Sequence, residues 1–231
     1  MVKQRKPQNA GKFRSRSVTR AKAIEANNGE RGQIREANET RLLDAAETIF
    51  AKRGFSGATT AAIAARAKLP KANLHYYFRT KEDLYRAVLA NVLGPWMNEL
   101  DRFTPEREPA EVFAEYIAAK MRWSQTRPNA SKVFANEILH GAAFLDGYLS
   151  RDLRQRVERY ADVVRHWIKL GKMTPIDPTY LVFQLWAMTQ HYADFEAQVC
   201  AVLGRNKLSD ADFAAASASI ATLVLRGLSK A

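Results

Sequence analysis

The sequence is poor in the features that mark secreted, metal-bound and membrane proteins. Its 231 residues include a single cysteine, Cys200, so neither a disulfide framework nor a cysteine-rich metal site can form. No apolar run approaches the roughly 20 residues that a membrane-spanning helix needs. The basic N-terminus is not followed by the apolar stretch of a secretory signal. We therefore expect a cytoplasmic protein that does not associate with a membrane.

Residues that interrupt helices and motifs that carry catalysis are also scarce. The chain has 8 prolines and 11 glycines, and its Ala-, Leu- and Arg-rich segments favour an all-α fold. It contains no Gly-rich phosphate loop, no HExxH motif and no nucleophile elbow. The four histidines lack metal-ligand spacing, and the pair Glu137 and His140 has no nucleophile beside it. We predict that the protein is not an enzyme and has no cofactor or metal.

Positive charge is concentrated near the N-terminus. The formal net charge is +12. Residues 1–40 hold ten Lys and Arg against four Asp and Glu, residues 41–85 hold eight against four, and residues 86–231 hold 18 against 16. A basic module on a nearly neutral body indicates a polyanion as the partner of the N-terminal part. The alternatives are a surface that only confers solubility and a protein that binds nucleic acid without sequence specificity.

The stretch Thr59 to Lys81 has the pattern of a helix-turn-helix. Apolar and small residues at helical spacing give the first short helix a buried face, and Lys68-Leu69-Pro70 breaks it. Pro70 suits the first position of the second helix, which is predicted to run to about Phe78. Because the second helix of such a motif enters the major groove of DNA, we predict a DNA-binding unit here.

Side chains along the second helix suit contact with DNA. Lys71, Ala72 and Asn73 at its start are expected to face the groove, where lysine can donate to guanine and asparagine can pair with adenine. Three further donors are expected to contact phosphates, namely His75, Tyr77 and Lys81. Phe78 is expected to belong to the core.

This stretch resembles the N-terminal domain of the TetR family of transcriptional regulators. The family run T-x-x-x-I-A-x-x-A-G-V-S-x-x-x-L-Y-x-Y-F-x-x-K-x-x-L is matched here from Thr59 to Leu84. Lys68, Pro70 and His75 depart from it, at the turn glycine, the capping serine and a common tyrosine. The resemblance implies a three-helix DNA-binding domain to which Thr60 also contributes. If φ is positive at Lys68, the turn is strained.

Helix boundaries elsewhere follow from caps and prolines. A first helix is expected to begin near Glu39 and to end at Gly54. A long helix is expected after Thr80, with Asp83 completing its cap, and Gly94-Pro95 should bend or interrupt it. Further helices are predicted at residues 109–126, 129–141, 144–171, 178–204 and 210–228.

The predicted helix 178–204 carries large side chains on two faces. Trp186 and Gln190 lie on one stripe, and Met188 and Phe195 lie on another. One stripe would face the domain interior and the other a partner subunit. Gln190 offers an acceptor and two donors, which suits an amide-bearing planar ligand stacked on Trp186. The alternatives are that the aromatic residues are only core and that Gln190 bonds across a dimer interface.

A homodimer is expected for a geometric reason. A lone helix-turn-helix contacts half a site, whereas a two-fold dimer reads a palindromic operator in double-stranded DNA. The helix at 210–228 has an apolar stripe of its own. Together with the outer face of the helix at 178–204, this stripe would form a four-helix interface between subunits.

Two runs in the C-terminal half resemble pyrimidine-responsive members of the TetR family. They are WAMTQHYADF at 186–195 and KVFANEILHGAAFLDGYL at 132–149. The resemblance implies a repressor or activator of pyrimidine catabolism genes that binds uracil or thymine through Trp186 and Gln190. Aromatic or polar residues on facing helices add four candidates, namely Trp96, Trp123, Asn136 and Phe144. The alternative effector is another small molecule, as for a TetR-type repressor of an efflux operon or of another catabolic operon.

These observations divide the chain into three parts within an all-α fold. Residues 1–36 are rich in Lys, Arg, Gln, Asn and Ser and are predicted to be a disordered basic arm, either contacting DNA or simply solvated. Residues 37–85 are predicted to form the DNA-binding domain. Residues 86–231 are predicted to form the larger domain for ligand binding and dimerisation.

Overall fold

The computed structural model of the chain describes residues 11–145 and 147–229. Within them all regular structure is helical and no strand occurs, as the all-α prediction required. The α-helices are α1 Gly11–Gly57, α2 Thr60–Ala67, α3 Lys71–Tyr77, α4 Lys81–Leu100, α5 Pro109–Thr126, α6 Pro128–Leu139, α7 Arg154–Lys169, α8 Pro178–Asp194, α9 Glu196–Leu203 and α10 Asp210–Leu228.

Helix α1 begins much earlier than the sequence predicted. It starts at Gly11 rather than near Glu39, so residues 11–36 are helical where a disordered arm was expected. Alanine, glutamate, lysine, arginine and glutamine have high helix propensity, which a prediction based on the lack of apolar residues did not weigh. The first ten residues of the predicted arm lie outside the described residues. Near its other end α1 is interrupted at Gly54, where φ is +64°.

Helices α1 to α4 enclose the core of the N-terminal unit. The fully buried residues include Leu42 and Phe50 of α1, Ile63 of α2, Leu74 of α3 and Leu84 of α4. Each element is stopped or started by a local signal. The Thr59 hydroxyl accepts from the N–H of Ala62 at 3.2 Å, and Thr80 and Asp83 form a reciprocal capping box. Helices α2 and α4 are therefore fixed by side-chain caps as well as by burial.

Helix α4 belongs to both halves of the molecule. Its first turns bury Leu84 and Tyr85 in the N-terminal core, whereas its last turns bury Trp96 and Leu100 in the C-terminal half. The helix is continuous through Gly94-Pro95, so the interruption that the sequence allowed there does not occur. The helix thus connects the C-terminal half directly to the helix-turn-helix.

The C-terminal core is formed by α5, α7, α8 and α10. Phe113, Tyr160, Trp167 and Leu185 are almost completely buried in it, and the Trp167 indole N–H donates to the carbonyl of Pro105 at 3.1 Å. Helix α10 is long and apolar enough to span a membrane by length and composition. One stripe of it, which includes Ile220 and Val224, packs into this core.

Two predicted helices are divided in the structure. The stretch 144–171 contains a 3-10 turn at Ala143–Leu145, a π-helical turn at Tyr148–Leu153 and then α7, because Gly147 takes a φ of +70° between the turns. The stretch 178–204 is divided at Phe195 into α8 and α9. In contrast, α5 and α10 have the predicted bounds, since Pro109 and the Ser209–Asp212 capping box define their starts.

Candidate DNA-binding surface and effector cavity

The turn of the helix-turn-helix has the strained geometry expected from Lys68. This residue adopts φ 54° and ψ 42°, the left-handed conformation that favours glycine. The turn is held by backbone bonds, from Lys68 N–H to the Ala65 carbonyl at 3.1 Å and from Leu69 N–H to the Ala64 carbonyl at 3.0 Å. The Arg41 guanidinium of α1 also donates to the carbonyl of Ala67 at 2.7 Å.

Replacing Lys68 with glycine is expected to stabilise the protein by about 1 kcal/mol, because glycine adopts this conformation without Cβ strain. Urea denaturation of the wild type and the variant measures the change. Lys68→Ala is the matched control, since it removes the same charge and keeps the Cβ atom. Equal stabilisation by both substitutions would assign the effect to charge and refute the strain argument.

Helix α3 presents a polar face to solvent and an apolar face to the core. It begins at Lys71, with Pro70 as the residue before it rather than inside it. Leu74 is fully buried, and Phe78 is 7% exposed, as predicted for a core residue. Among the α3 residues predicted to contact bases or phosphates, Lys71, Ala72 and His75 are exposed. Asn73 and Tyr77 are half-buried. The surface expected to enter the groove is therefore accessible, and its DNA contacts remain a prediction.

Lys81 and Thr60 have structural positions at the edges of this surface. The Lys81 ammonium donates to the carbonyls of Phe55 at 2.9 Å and Ala58 at 3.2 Å, and it lies 4.3 Å from the centroid of the Phe55 ring. Two of its three donors thus connect α4 to the end of α1. Thr60 is half-buried in the first turn of α2, directly after the capping Thr59. The phosphate contact of Lys81 stays a prediction.

A small cavity of about 40 Å3 lies between α4, α5, α6, α8 and the π-helical turn. Its walls include three predicted ligand residues, Trp96, Trp186 and Gln190. The other lining residues are Leu93, Met97, Tyr116, Lys120, Phe134, Tyr148 and Leu153. The Trp186 indole N–H donates to the Tyr116 hydroxyl at 2.8 Å, which fixes the ring. The Gln190 side chain also borders the cavity, so the inner stripe of α8 faces the interior as predicted.

The other three predicted ligand residues are not part of the cavity lining. Trp123 packs beside it and lies 5.8 Å from the Arg127 guanidinium. Asn136 is half-exposed on α6, outside the lining. Phe144 packs against the N-terminal unit, with ring centroids 4.6 Å from Phe55 and 5.1 Å from Tyr85. Sequence periodicity assigns a residue to a face of its helix but not to the neighbour that this face meets.

Lys120 is a cavity residue that the sequence analysis missed. It is 3% exposed, and its ammonium lies 4.1 Å from the centroid of the Trp96 ring. Burial lowers the pKa of Lys120 to about 8, and Asp194 and Glu99 oppose that shift. A signal was present, because Lys120 follows Phe113 and Ile117 along the apolar stripe of α5.

Tyr148 is a second cavity residue that was missed. Its hydroxyl is buried and has no hydrogen-bond partner in the part of the chain that the structure describes. Burial raises the pKa of Tyr148 to about 12, so the hydroxyl is a neutral donor at physiological pH. Little in the sequence indicates this role, because the position of Tyr148 depends on the turn at Gly147.

Direct contacts connect this C-terminal half to the DNA-binding unit. Arg127 forms an ion pair with Glu47 of α1. The Arg86 guanidinium of α4 donates to the Phe144 carbonyl at 2.9 Å, and the Phe144 N–H donates to the buried Glu137 carboxylate at 2.7 Å. The segment that carries Phe144 is therefore held on one side by α6 and on the other by α4.

An apolar groove runs along α8 and α10 on the outer surface. Met188 borders it on α8, as predicted for the outer stripe, together with Gln184, and Leu223 of α10 is 67% exposed beside them. Such a face is suited to a symmetric contact between two copies of the chain.

Comparison with known proteins assigns both halves to one type of regulator. The family profile described as bacterial regulatory proteins, tetR family, matches residues 42–88, and the profile described as YcdC-like protein, C-terminal region, matches residues 89–231. The chain is 37% identical over 200 residues to the HTH-type transcriptional regulator RutR of Escherichia coli strain K12, which covers 87% of this chain and 94% of that protein.

Solved structures of TetR-type regulators share the fold. A TetR family transcription regulator from Marinobacter aquaeolei VT8 superposes with a TM-score of 0.62 at 19% identity, covering 86% of this chain and 99% of that one. A TetR-like transcriptional regulator from Rhodococcus sp. RHA1 superposes with a TM-score of 0.61 at 21% identity, covering 82% and 94%. These structures support the arrangement of an N-terminal helix-turn-helix followed by a larger helical domain.

Proposed function

Because the chain belongs to the TetR family of ligand-responsive transcriptional regulators and is not an enzyme, we propose that it senses a pyrimidine nucleobase such as uracil or thymine. As a cytoplasmic homodimer it would bind a palindromic operator and control genes of pyrimidine catabolism. The observation that carries this proposal is the cavity between Trp96 and Trp186, with Gln190 at its edge. The run 186–195 supports it through its resemblance to pyrimidine-responsive regulators.

The chemistry of the cavity suits a flat ring with an imide edge. Trp96 and Trp186 offer aromatic surfaces on which a planar ring can pack. The Gln190 amide can both donate and accept, which matches the carbonyl and N–H groups of uracil. Lys120 and Tyr148 supply further donors for the carbonyl oxygens. A bulky apolar cation, the typical effector of drug-efflux regulation, is disfavoured here because it would meet the buried Lys120 ammonium.

Helix α4 would convert effector binding into a change in DNA binding. Trp96 borders the cavity on the last turns of this helix, and the helix-turn-helix packs on its first turns. A tilt of α4 changes the separation of the two α3 helices of a dimer. The effector shifts this equilibrium only by the difference in its affinity for the two arrangements.

DNA binding of the purified protein tests the regulatory part of the proposal. Fluorescence anisotropy at about 150 mM salt should show a marked preference for DNA upstream of its own gene over random DNA. Uracil or thymine should change that affinity. Equal, salt-sensitive binding to both DNAs would instead identify a non-specific nucleic-acid-binding protein. If the operator complex does not respond to nucleobases but responds to another compound, the protein is still a ligand-responsive regulator, and the assignment of a pyrimidine effector is wrong.

Replacing Gln190 with leucine is expected to weaken uracil binding by roughly tenfold to a hundredfold, because the imide edge loses its amide partner. Isothermal titration with uracil measures the loss, and operator binding without effector checks that the variant folds. Gln155→Leu, an exposed substitution on α7, is the matched control. If Gln190→Leu binds uracil as the wild type does, Gln190 has no part in recognition.

A further inference from the structure

The effector cavity contains a buried cation whose charge is poorly compensated. Among the described residues no carboxylate lies within ion-pair distance of the Lys120 ammonium, and its nearest charge-stabilising partner is the Trp96 ring at 4.1 Å. A cation–π contact offsets only part of the cost of removing an ammonium from water. The free protein therefore keeps an unneutralised positive charge at the wall of an otherwise uncharged cavity.

The two carboxylates that act on Lys120 from a distance already have partners. Asp194 of α8 accepts a hydrogen bond from the Ser131 hydroxyl at 2.6 Å, and Glu99 of α4 pairs with Arg102 at 3.3 Å. Asp194 is half-buried, and this burial raises its pKa. Neither group is placed to neutralise the ammonium directly.

The remaining polar atoms of the cavity include a further hydrogen-bond donor that lacks an acceptor. The buried Tyr148 hydroxyl has no partner in the described part of the chain, and it lines the same space as Lys120. The Trp186 N–H is already used by Tyr116. Lys120 and Tyr148 thus offer donors, and Gln190 alone among the lining side chains offers an amide acceptor.

We infer that the effector binds as an anion, with a negatively charged oxygen beside the Lys120 ammonium, and that Lys120 selects ligands by this charge. The inference rests on the proposed function in placing the effector in this cavity. For a pyrimidine, the ring imide N–H would lose its proton to the buffer, and the charge would be shared by the ring nitrogen and the adjacent carbonyl oxygens. Lys120 would keep its proton and form a charge-assisted hydrogen bond.

A pair of nearly identical ligands tests this selection. Uracil and 5-fluorouracil differ little in size, but the fluorinated ring has the more acidic N–H, and each unit of pKa multiplies the anionic fraction by about ten. At pH 7.5 isothermal titration should give wild-type protein roughly tenfold tighter binding of 5-fluorouracil. In Lys120→Met, which keeps the length of the side chain, the preference should disappear. NMR of carbon-13-labelled uracil bound to the wild type should show the carbonyl shifts of the ionised ring.

A second pair separates this inference from the pyrimidine assignment. Benzoate and benzamide are flat and similar in shape but differ in charge. Benzoate should raise the melting temperature of the wild type more than benzamide does. If benzoate stabilises the protein through Lys120 while no pyrimidine binds, the anion inference stands and the pyrimidine effector falls. Uracil that binds as the neutral ring, without preference for 5-fluorouracil, overturns the inference alone. Absence of binding by all four compounds overturns both.

Discussion

Replacing Lys120 with methionine is expected to stabilise the ligand-free protein near pH 7 by about 1 to 3 kcal/mol. The substitution removes a buried, poorly compensated ammonium and leaves an apolar side chain of similar length against Trp96. Most substitutions in a core destabilise a protein, so a gain of this size would be diagnostic. Urea denaturation at one fixed protein concentration measures it, since the stability of a dimer depends on concentration.

The same substitution should change how stability depends on pH. The pKa of Lys120 is about 8 in the folded protein and about 10.4 in an unfolded chain. Between these values the unfolded chain holds more protons than the folded one, so wild-type stability should rise with pH, by about 3 kcal/mol in total. Below pH 8 Lys120 is protonated in both the folded and the unfolded protein, so it does not make stability depend on pH there. Lys120→Met lacks this rise, so its advantage should shrink above pH 8.

Lys169→Met provides the control, because Lys169 is exposed at the end of α7. It should leave both the stability at pH 7 and the pH dependence close to those of the wild type. A Lys120→Met protein that is less stable than the wild type at pH 7, or that keeps the same rise with pH, would show that the ammonium is well compensated in the folded state. Such a result would also remove the physical reason for anion selection.

The elements that sequence analysis located well are those with local signals. Thr59 and Thr80 cap their helices through side-chain contacts within three residues, so their roles follow from spacing alone. Pro109 and Ser209 likewise start α5 and α10 at the predicted positions. The helix-turn-helix is built largely from such local signals, which is why its position could be predicted. The sequence predicted strain at Lys68 only if φ was positive there, and the structure meets this condition.

The cavity depends instead on contacts between distant segments, and it was only half predicted. Trp186 and Gln190 could be found because they repeat on one helical stripe next to each other. Lys120 is an exception to the general rule that lysine is exposed. Its burial follows from the packing of α4 and α8 around α5. The turns on either side of Gly147 replace the long helix predicted at 144–171, and this break brings Tyr148 to the cavity.

Phe144 is a residue whose role could not be predicted because its position depends on contacts between distant segments. The sequence placed it in the ligand site, whereas in the structure its ring packs between Phe55 and Tyr85 of the DNA-binding unit. Its backbone is held from both sides, by Glu137 of α6 and Arg86 of α4. A residue in this position can transmit a movement of the C-terminal half without touching the effector.

We therefore expect Phe144→Ala to uncouple effector binding from DNA binding. Loss of this half-buried ring should cost about 2 kcal/mol of stability, less than for a fully buried phenylalanine. The affinity for uracil should stay within about twofold of the wild type, because Phe144 lies outside the cavity. The uracil-induced change in operator affinity should fall substantially, since the DNA-binding unit no longer packs on this segment.

Titration of uracil into the free protein, and of operator DNA with and without uracil, separates the two effects. Leu139→Ala is the control, because Leu139 is 80% exposed on the neighbouring helix α6. If Phe144→Ala weakens uracil binding tenfold or more, Phe144 contacts the effector as the sequence predicted. If the variant keeps both uracil binding and the full effect on DNA, coupling runs instead through other contacts, of which α4 itself and the ion pair between Arg127 and Glu47 are the evident ones.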